Sequence, residues 1–147
     1  MSAQGERIVA LARGWIGTPY RHQAACRGAG CDCLGLIRGI WRELHGAEPE
    51  RPPAYSMDWS EPQREEALWQ AAGRHLLSKA LADENPGDVI LMRMRAGAVA
   101  KHLGVVARVG SGTTFIHAYS GHGVVETALS LPWRRRIVAR FAFPEEG

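Results

Sequence analysis

The 147-residue chain has no apolar run approaching the roughly 18 residues that a bilayer-spanning helix needs. Its first stretch, MSAQGERIVALARGW, is broken by Glu6, Arg7 and Arg13 and lacks the continuous apolar core of a secretory signal. Cysteine is scarce: three residues, Cys26, Cys31 and Cys33. An odd count argues against a disulfide framework, and Cys31 and Cys33 are too close in sequence to favour a bridge. The spacing C-x4-C-x-C matches no common zinc pattern, so no metal is expected, although a cluster completed by a distant His stays open. Positive charge is in only small excess, at a net +3. That gives little footing for nucleic acid. The run Arg134, Arg135 and Arg136 reads as a solvated surface. There is no internal repeat and no low-complexity segment. The rest is an ordinary globular mix, 46% hydrophobic and 22% charged, long enough for one domain over 1–147 with its own core.

What is present is organised around GAGCDCLGLIRGIWRELHG, residues 28–46. Cys33, Leu36, Ile37, Ile40, Trp41 and Leu44 form the apolar stripe of a helix. Asp32 is placed to cap its start and Gly46 its end. Cys33 then lies in the first turn on the buried side. Free N–H groups and the macrodipole there favour an anion, which predicts a thiol pKa drawn toward neutrality. The alternative is a small buried cysteine that only fills space.

An earlier helix is predicted over 4–16, ending at Gly17-Thr18-Pro19. Residues 20–30 read as a loop. Residues 47–62 carry four prolines and read as an irregular binding loop or plain connection. Ser60 and Gln63 look like a capping box that opens a third helix reaching about Leu81, with His75 at its surface. After Asn85-Pro86-Gly87 the period changes to two. Strands are predicted over 88–94, 103–109, 113–118, 124–127 and 137–143. Helices first, then strands joined by tight turns, predict an α+β fold with helices packed on a meandering antiparallel sheet.

Two histidines, His102 and His117, fall on neighbouring predicted strands. Pairing about the Gly110–Gly112 turn sets residue 105 opposite 117, which separates the histidines by about 10 Å along the strand. A bulge would bring them closer, and parity decides whether they share a face. A Cys33–His102 couple would supply nucleophile and base, with His117 orienting the imidazole.

The ordered motifs GCDCLGL, NPGDVILMR, KHLGVV and FIHA resemble the NlpC/P60 cysteine peptidases, over about Trp15 to Ala118. The resemblance implies a papain-like core, no cofactor, and a catalytic Cys33, His102 and His117. It further implies Tyr20 at the oxyanion site and Asp32 shaping the substrate site. The expected reaction is hydrolysis of peptidoglycan stem peptides next to γ-linked D-glutamate, with Arg21, Arg93 and Arg95 as candidates to hold stem carboxylates. Leu34 stands where the family has serine. The helical insert over about 47–84 resembles stand-alone members from phage tails and gene transfer agents. This implies a protein made in the cytoplasm and acting on the cell wall within a phage-like particle, beside baseplate or hub proteins. Two alternatives keep the same fold: a non-catalytic tail-tip module, and an N-acyl amidase or acyltransferase.

Overall fold

The structure is a computed structural model that describes residues 2–49 and 66–145. Helix α1 spans Ala3–Arg13, and its Ser2 cap accepts from Gly5 N at 2.9 Å. Helix α2 spans Cys33–His45. Between them, β1 (Ala25–Cys26) and β2 (Gly30–Cys31) form a hairpin where a loop was predicted. Two residues per strand carry no readable alternation. Tyr20 forms a further bridge to Cys31, which binds this loop to the start of α2. The Arg42 guanidinium donates to the Ala25 carbonyl and ties the hairpin to α2 from its other end.

Helix α3 covers Ala67–His75, shorter than the helix expected to reach Leu81. The proposed cap at Ser60 and Gln63 lies outside the described residues. At Leu76 the backbone becomes extended, with ψ 161°, and β3 (Leu77–Lys79) follows. Leu76 is buried and Leu77 exposed. The strand alternation begins there and wins over the helical stripe because Leu77, Ser78 and Lys79 find hydrogen-bonding partners on β8 (Ile137–Ala142).

The remaining strands are β4 (Val89–Met92), β5 (His102–Arg108), β6 (Thr114–Tyr119) and β7 (Gly123–Ala128). The sheet order is β3-β8-β4-β5-β6-β7, with every pair antiparallel. The meander holds from β4 to β7. The last strand does not extend it but inserts between β3 and β4. A short helix α4 (Leu131–Arg134) precedes β8 and was not predicted.

The sheet has two buried faces. Leu103, Val105 and Ala107 of β5 pack with Leu36, Ile37 and Ile40 of α2 and with Ile8 and Val9 of α1. Ile90, Met92, Val106 and Phe115 form a second cluster on the other face, closed by Leu129 and Trp133. β4 is buried along its whole length, as expected for a central strand covered on both sides. Beneath it, Asp88 accepts from Lys79 Nζ at 2.7 Å, Asn85 N at 2.8 Å and Arg140 Nη1 at 3.1 Å. The arginine run is not purely solvated: Arg134 pairs with Glu84 at 3.0 Å, and the Arg136 guanidinium lies 4.8 Å over the Trp133 ring.

Candidate active site

Asp32 caps α2 as the sequence indicates. Its Oδ1 accepts from Gly35 N and its Oδ2 from Gln23 N, both at 2.7 Å. Gln23 has φ 64°, the left-handed conformation that a non-glycine residue adopts only when its surroundings compel it. The bond to Asp32 holds it there. The buried carboxylate therefore locks the Tyr20–Ala24 loop to the mouth of α2.

Cys33 is the first residue of that helix and is buried. Its Sγ donates to the Lys101 carbonyl at 3.5 Å. Lys101 directly precedes His102, and Leu103, which directly follows it, aims its backbone N–H at the sulfur. The thiol thus sits against the peptide groups on either side of His102. Its hydrogen bond goes to that main chain and not to the imidazole.

The predicted lowered thiol pKa is overturned. Burial, and then the Asp32 charge, push Cys33 up to about 12; the N–H groups of Leu103, Leu34 and Cys33 itself oppose this and lose. The macrodipole is outweighed because the site is dry and its cap is anionic. Tyr20 is also pushed up to about 12, by burial and then by the charges of Cys33, Asp32 and Cys31. It stays a hydrogen-bond donor at neutral pH.

The histidines meet because of a one-residue irregularity. Arg108 pairs with Thr114, but Val106 pairs with Phe115 and Val105 with Ile116, so Ala107 is a bulge. Without it residue 105 would face 117, as predicted, and the two histidines would point to opposite faces. The bulge shifts the register by one and inverts the parity. His102 and His117 then share a face, with His102 Nε2 at 2.8 Å from His117 Nδ1. His117 Nε2 continues to Thr127 Oγ1 at 2.9 Å. Gly104 lies on β5 two residues after His102; a Cβ there would fall 2.7 Å from the Phe115 ring.

Trp133 covers the pair, with its ring centroid 6.0 Å from His102 and 5.1 Å from His117. Burial lowers His102 to about 3, helped by the positive charges of His117 and Arg136. Burial, then His122, lowers His117 to about 4. At neutral pH both rings are neutral.

Of the candidate cations, Arg93 is taken by Glu66 at 3.0 Å and by the Ala98 carbonyl. Arg95 is exposed, and so is Arg21, which lies across Gly30 beside the Tyr20 loop. Leu34 lines a cavity of about 250 Å³ between α2 and α3, together with Ile37, Trp41, Leu68 and Leu103. The leucine that replaces the family serine therefore belongs to an apolar wall. Among the described residues, no group of three or more His, Cys, Asp or Glu side chains is arranged to hold a metal ion. No helix of the described chain is long and apolar enough to cross a membrane. Thr127 and Trp133 escaped the sequence reading. Thr127 was within reach of it, since Val125 pairs with His117 and Thr127 lies two residues further on the same face.

A six-stranded antiparallel sheet with helices packed on it, one of them starting on a cysteine, is the papain-like class of α+β fold. The sequence pattern described as the NlpC/P60 family matches residues 17–140, and the chain belongs to that family, a family of cysteine peptidases and hydrolases. Solved structures agree on the fold. The NlpC/p60 domain of the peptidoglycan hydrolase SagA superposes with TM-score 0.64 at 21% identity, over 95% of this chain and 98% of that one. An NLP/P60 protein similar to a lipoprotein from Staphylococcus aureus subsp. aureus Mu50 gives 0.64 at 17% identity, over 99% of this chain. An NlpC/P60 protein from Bacillus cereus ATCC 10987 gives 0.63 at 19% identity, over 92%. This chain spans only 43% and 39% of those two proteins. No curated protein matches the chain.

Proposed function

We propose that this domain is a cysteine endopeptidase that cuts peptidoglycan stem peptides at the bond between γ-linked D-glutamate and a diamino acid. The observation that carries the reading is the hydrogen-bonded His102–His117 pair, with the Cys33 sulfur held on the peptide groups flanking His102. His102 spends Nε2 on His117, which leaves Nδ1 to serve the thiol. On attack, the Sγ proton passes to His102 Nδ1 as sulfur bonds to the scissile carbonyl carbon. The carbonyl oxygen becomes an oxyanion, and the Tyr20 hydroxyl, protonated at neutral pH, donates to it. The intermediate collapses, and His102 returns its proton to the leaving amine. Water then enters, gives a proton to His102, and hydrolyses the thioester.

Arg21 and Arg95, both exposed, are the candidates to meet a stem carboxylate, whereas Arg93 is paired with Glu66. The proposal extends to the setting that the 47–84 insert suggests, a phage-tail or gene-transfer-agent particle that carries the enzyme to the wall. The test is mass analysis of muropeptides after incubation with the protein. The wild type releases products cut after γ-D-glutamate, and folded Cys33→Ala releases none. Full cleavage by Cys33→Ala refutes the mechanism.

A further inference from the structure

The histidine pair does not end at His117. Each neutral imidazole has one N–H and one bare nitrogen, so a chain of two rings and a hydroxyl has only two proton arrangements. In one, Thr127 Oγ1 accepts from His117 Nε2–H. His117 Nδ1 then accepts from His102 Nε2–H, and His102 Nδ1 is bare. In the other, the Thr127 hydroxyl donates to His117 Nε2, and His117 Nδ1–H donates to His102 Nε2. That leaves a proton on His102 Nδ1. Only the first arrangement lets His102 act as a base through Nδ1.

We propose that Thr127 is a positioning residue: by accepting from His117 Nε2 it sets the proton order of the chain His117–His102 and keeps His102 Nδ1 free. This rests on the reading of Cys33 and His102 given above. The geometry is specific. The two contacts are 2.8 and 2.9 Å, each ring nitrogen of His117 has one partner, and that histidine is completely buried. Water therefore cannot take the place of Thr127 on the ring. Thr127 itself is half-buried, so its hydroxyl proton has solvent to donate to while the oxygen accepts. Its β-branched side chain is stiff at χ1, which holds the oxygen in place. The bulge at Ala107 brings the rings together, and β7 supplies the residue that orders their protons.

The experiment compares wild type, Thr127→Val, Thr127→Ser and Cys33→Ala, with two readouts. The first is stem-peptide kinetics. The second is imidazole ¹⁵N NMR without substrate, which reports which ring nitrogens carry protons whether or not the protein turns over. Thr127→Val keeps the shape and loses the acceptor. It is expected to lower kcat/KM by about 10²-fold, the scale of lost general-base assistance. KM should be unchanged, and the ¹⁵N pattern should move toward protonated His102 Nδ1. Thr127→Ser restores both to within a few-fold.

Three results overturn the proposal: wild-type tautomers in Thr127→Val, a wild-type His102 already protonated at Nδ1, or Thr127→Ser as impaired as Thr127→Val. If Cys33→Ala cleaves as well as wild type, the peptidase reading is what fails. Thr127 is then judged on the NMR pattern alone.

Discussion

Gly35 is the residue where stability and activity separate most cleanly. It is the third residue of α2, and a Cβ built on it lies 1.8 Å from the Ala24 carbonyl oxygen. Real Cβ atoms essentially never come closer than 3.0 Å to another atom, so Gly35→Ala must open this contact by about 1.2 Å. The obstacle is backbone and cannot rotate away. Ala24 is also pinned, because its carbonyl accepts from Asp32 N at 3.2 Å. The displacement therefore moves the Tyr20–Ala24 loop against the helix mouth, two residues from Cys33. Overpacking of this kind costs about 1–3 kcal/mol. Alanine in a helix returns about 1 kcal/mol relative to glycine. The net loss is at most about 2 kcal/mol, a few degrees in Tm for a domain of this size. Activity should suffer far more, since a 1 Å misplacement of reacting groups costs about 10²-fold. Gly39→Ala is the control. Its Cβ would fall 2.0 Å from Trp15 Cζ2, with the same helix gain, but the clash lies on a side chain more than a turn deeper. Both variants are assayed by urea unfolding and by stem cleavage. The expected result is similar stability for the two and a hundredfold activity loss for Gly35→Ala only. Wild-type activity in Gly35→Ala, or an equal loss in Gly39→Ala, refutes the reasoning.

Two further measurements probe the rest of the framework. His102 and His117 are lowered from 6.5 to about 3 and about 4, so below pH 6.5 the unfolded chain takes up protons that the folded chain refuses. Stability should therefore be full above pH 6.5 and fall on the order of 1 kcal/mol per pH unit for each histidine between pH 6.5 and 4.5. The depressed carboxyls of Glu48, Glu84 and Glu126 add their loss only below that window. A flat urea stability from pH 4.5 to 6.5 contradicts the neutral buried pair. Asp88→Asn removes the anion from a buried ion pair with Arg140 and should cost about 3–5 kcal/mol, at the lower end because Glu84 remains 3.3 Å from Arg140. A loss below about 1 kcal/mol by urea titration would show that Glu84 alone suffices.

How much was legible in the sequence depended on the range of the signal. Helix α2, its Asp32 cap and Cys33 at its mouth are local, and they stand where the stripe and the capping residue put them. The four meander strands are local too, to within a residue or two. Leu76 and Leu77 misled because two adjacent leucines fit a helical stripe and a strand equally well until β8 supplies partners. The position of β8 beside β3 depends on contacts between residues some 60 apart, and no local period encodes that. The sequence offered Cys33, His102 and His117 as candidates but carried no geometry for them. The 105/117 pairing was off by one residue and the parity of His102 and His117 was left open; the bulge at Ala107 puts them on one face.

That bulge also bears on the charge state of the site. It turns both imidazoles into a face closed by Phe115 and Trp133, and this dryness lowers their pKa. The same dryness, with Asp32 beside it, raises the Cys33 thiol. The lowered thiol pKa expected at a helix N-terminus is therefore not found: burial and the Asp32 charge raise it, and the thiol donates to Lys101. Either charge alone is costly in this site. On the proposed mechanism, one proton transfer creates both charges at once, and their attraction in a poorly screened site offsets part of the separate cost. The transfer then belongs to the moment of attack, when the new negative charge moves from sulfur onto the substrate oxygen. That makes the proton order of His102, and so the acceptor at Thr127, part of the reaction itself, because a neutral resting base acts only if its bare nitrogen faces the thiol.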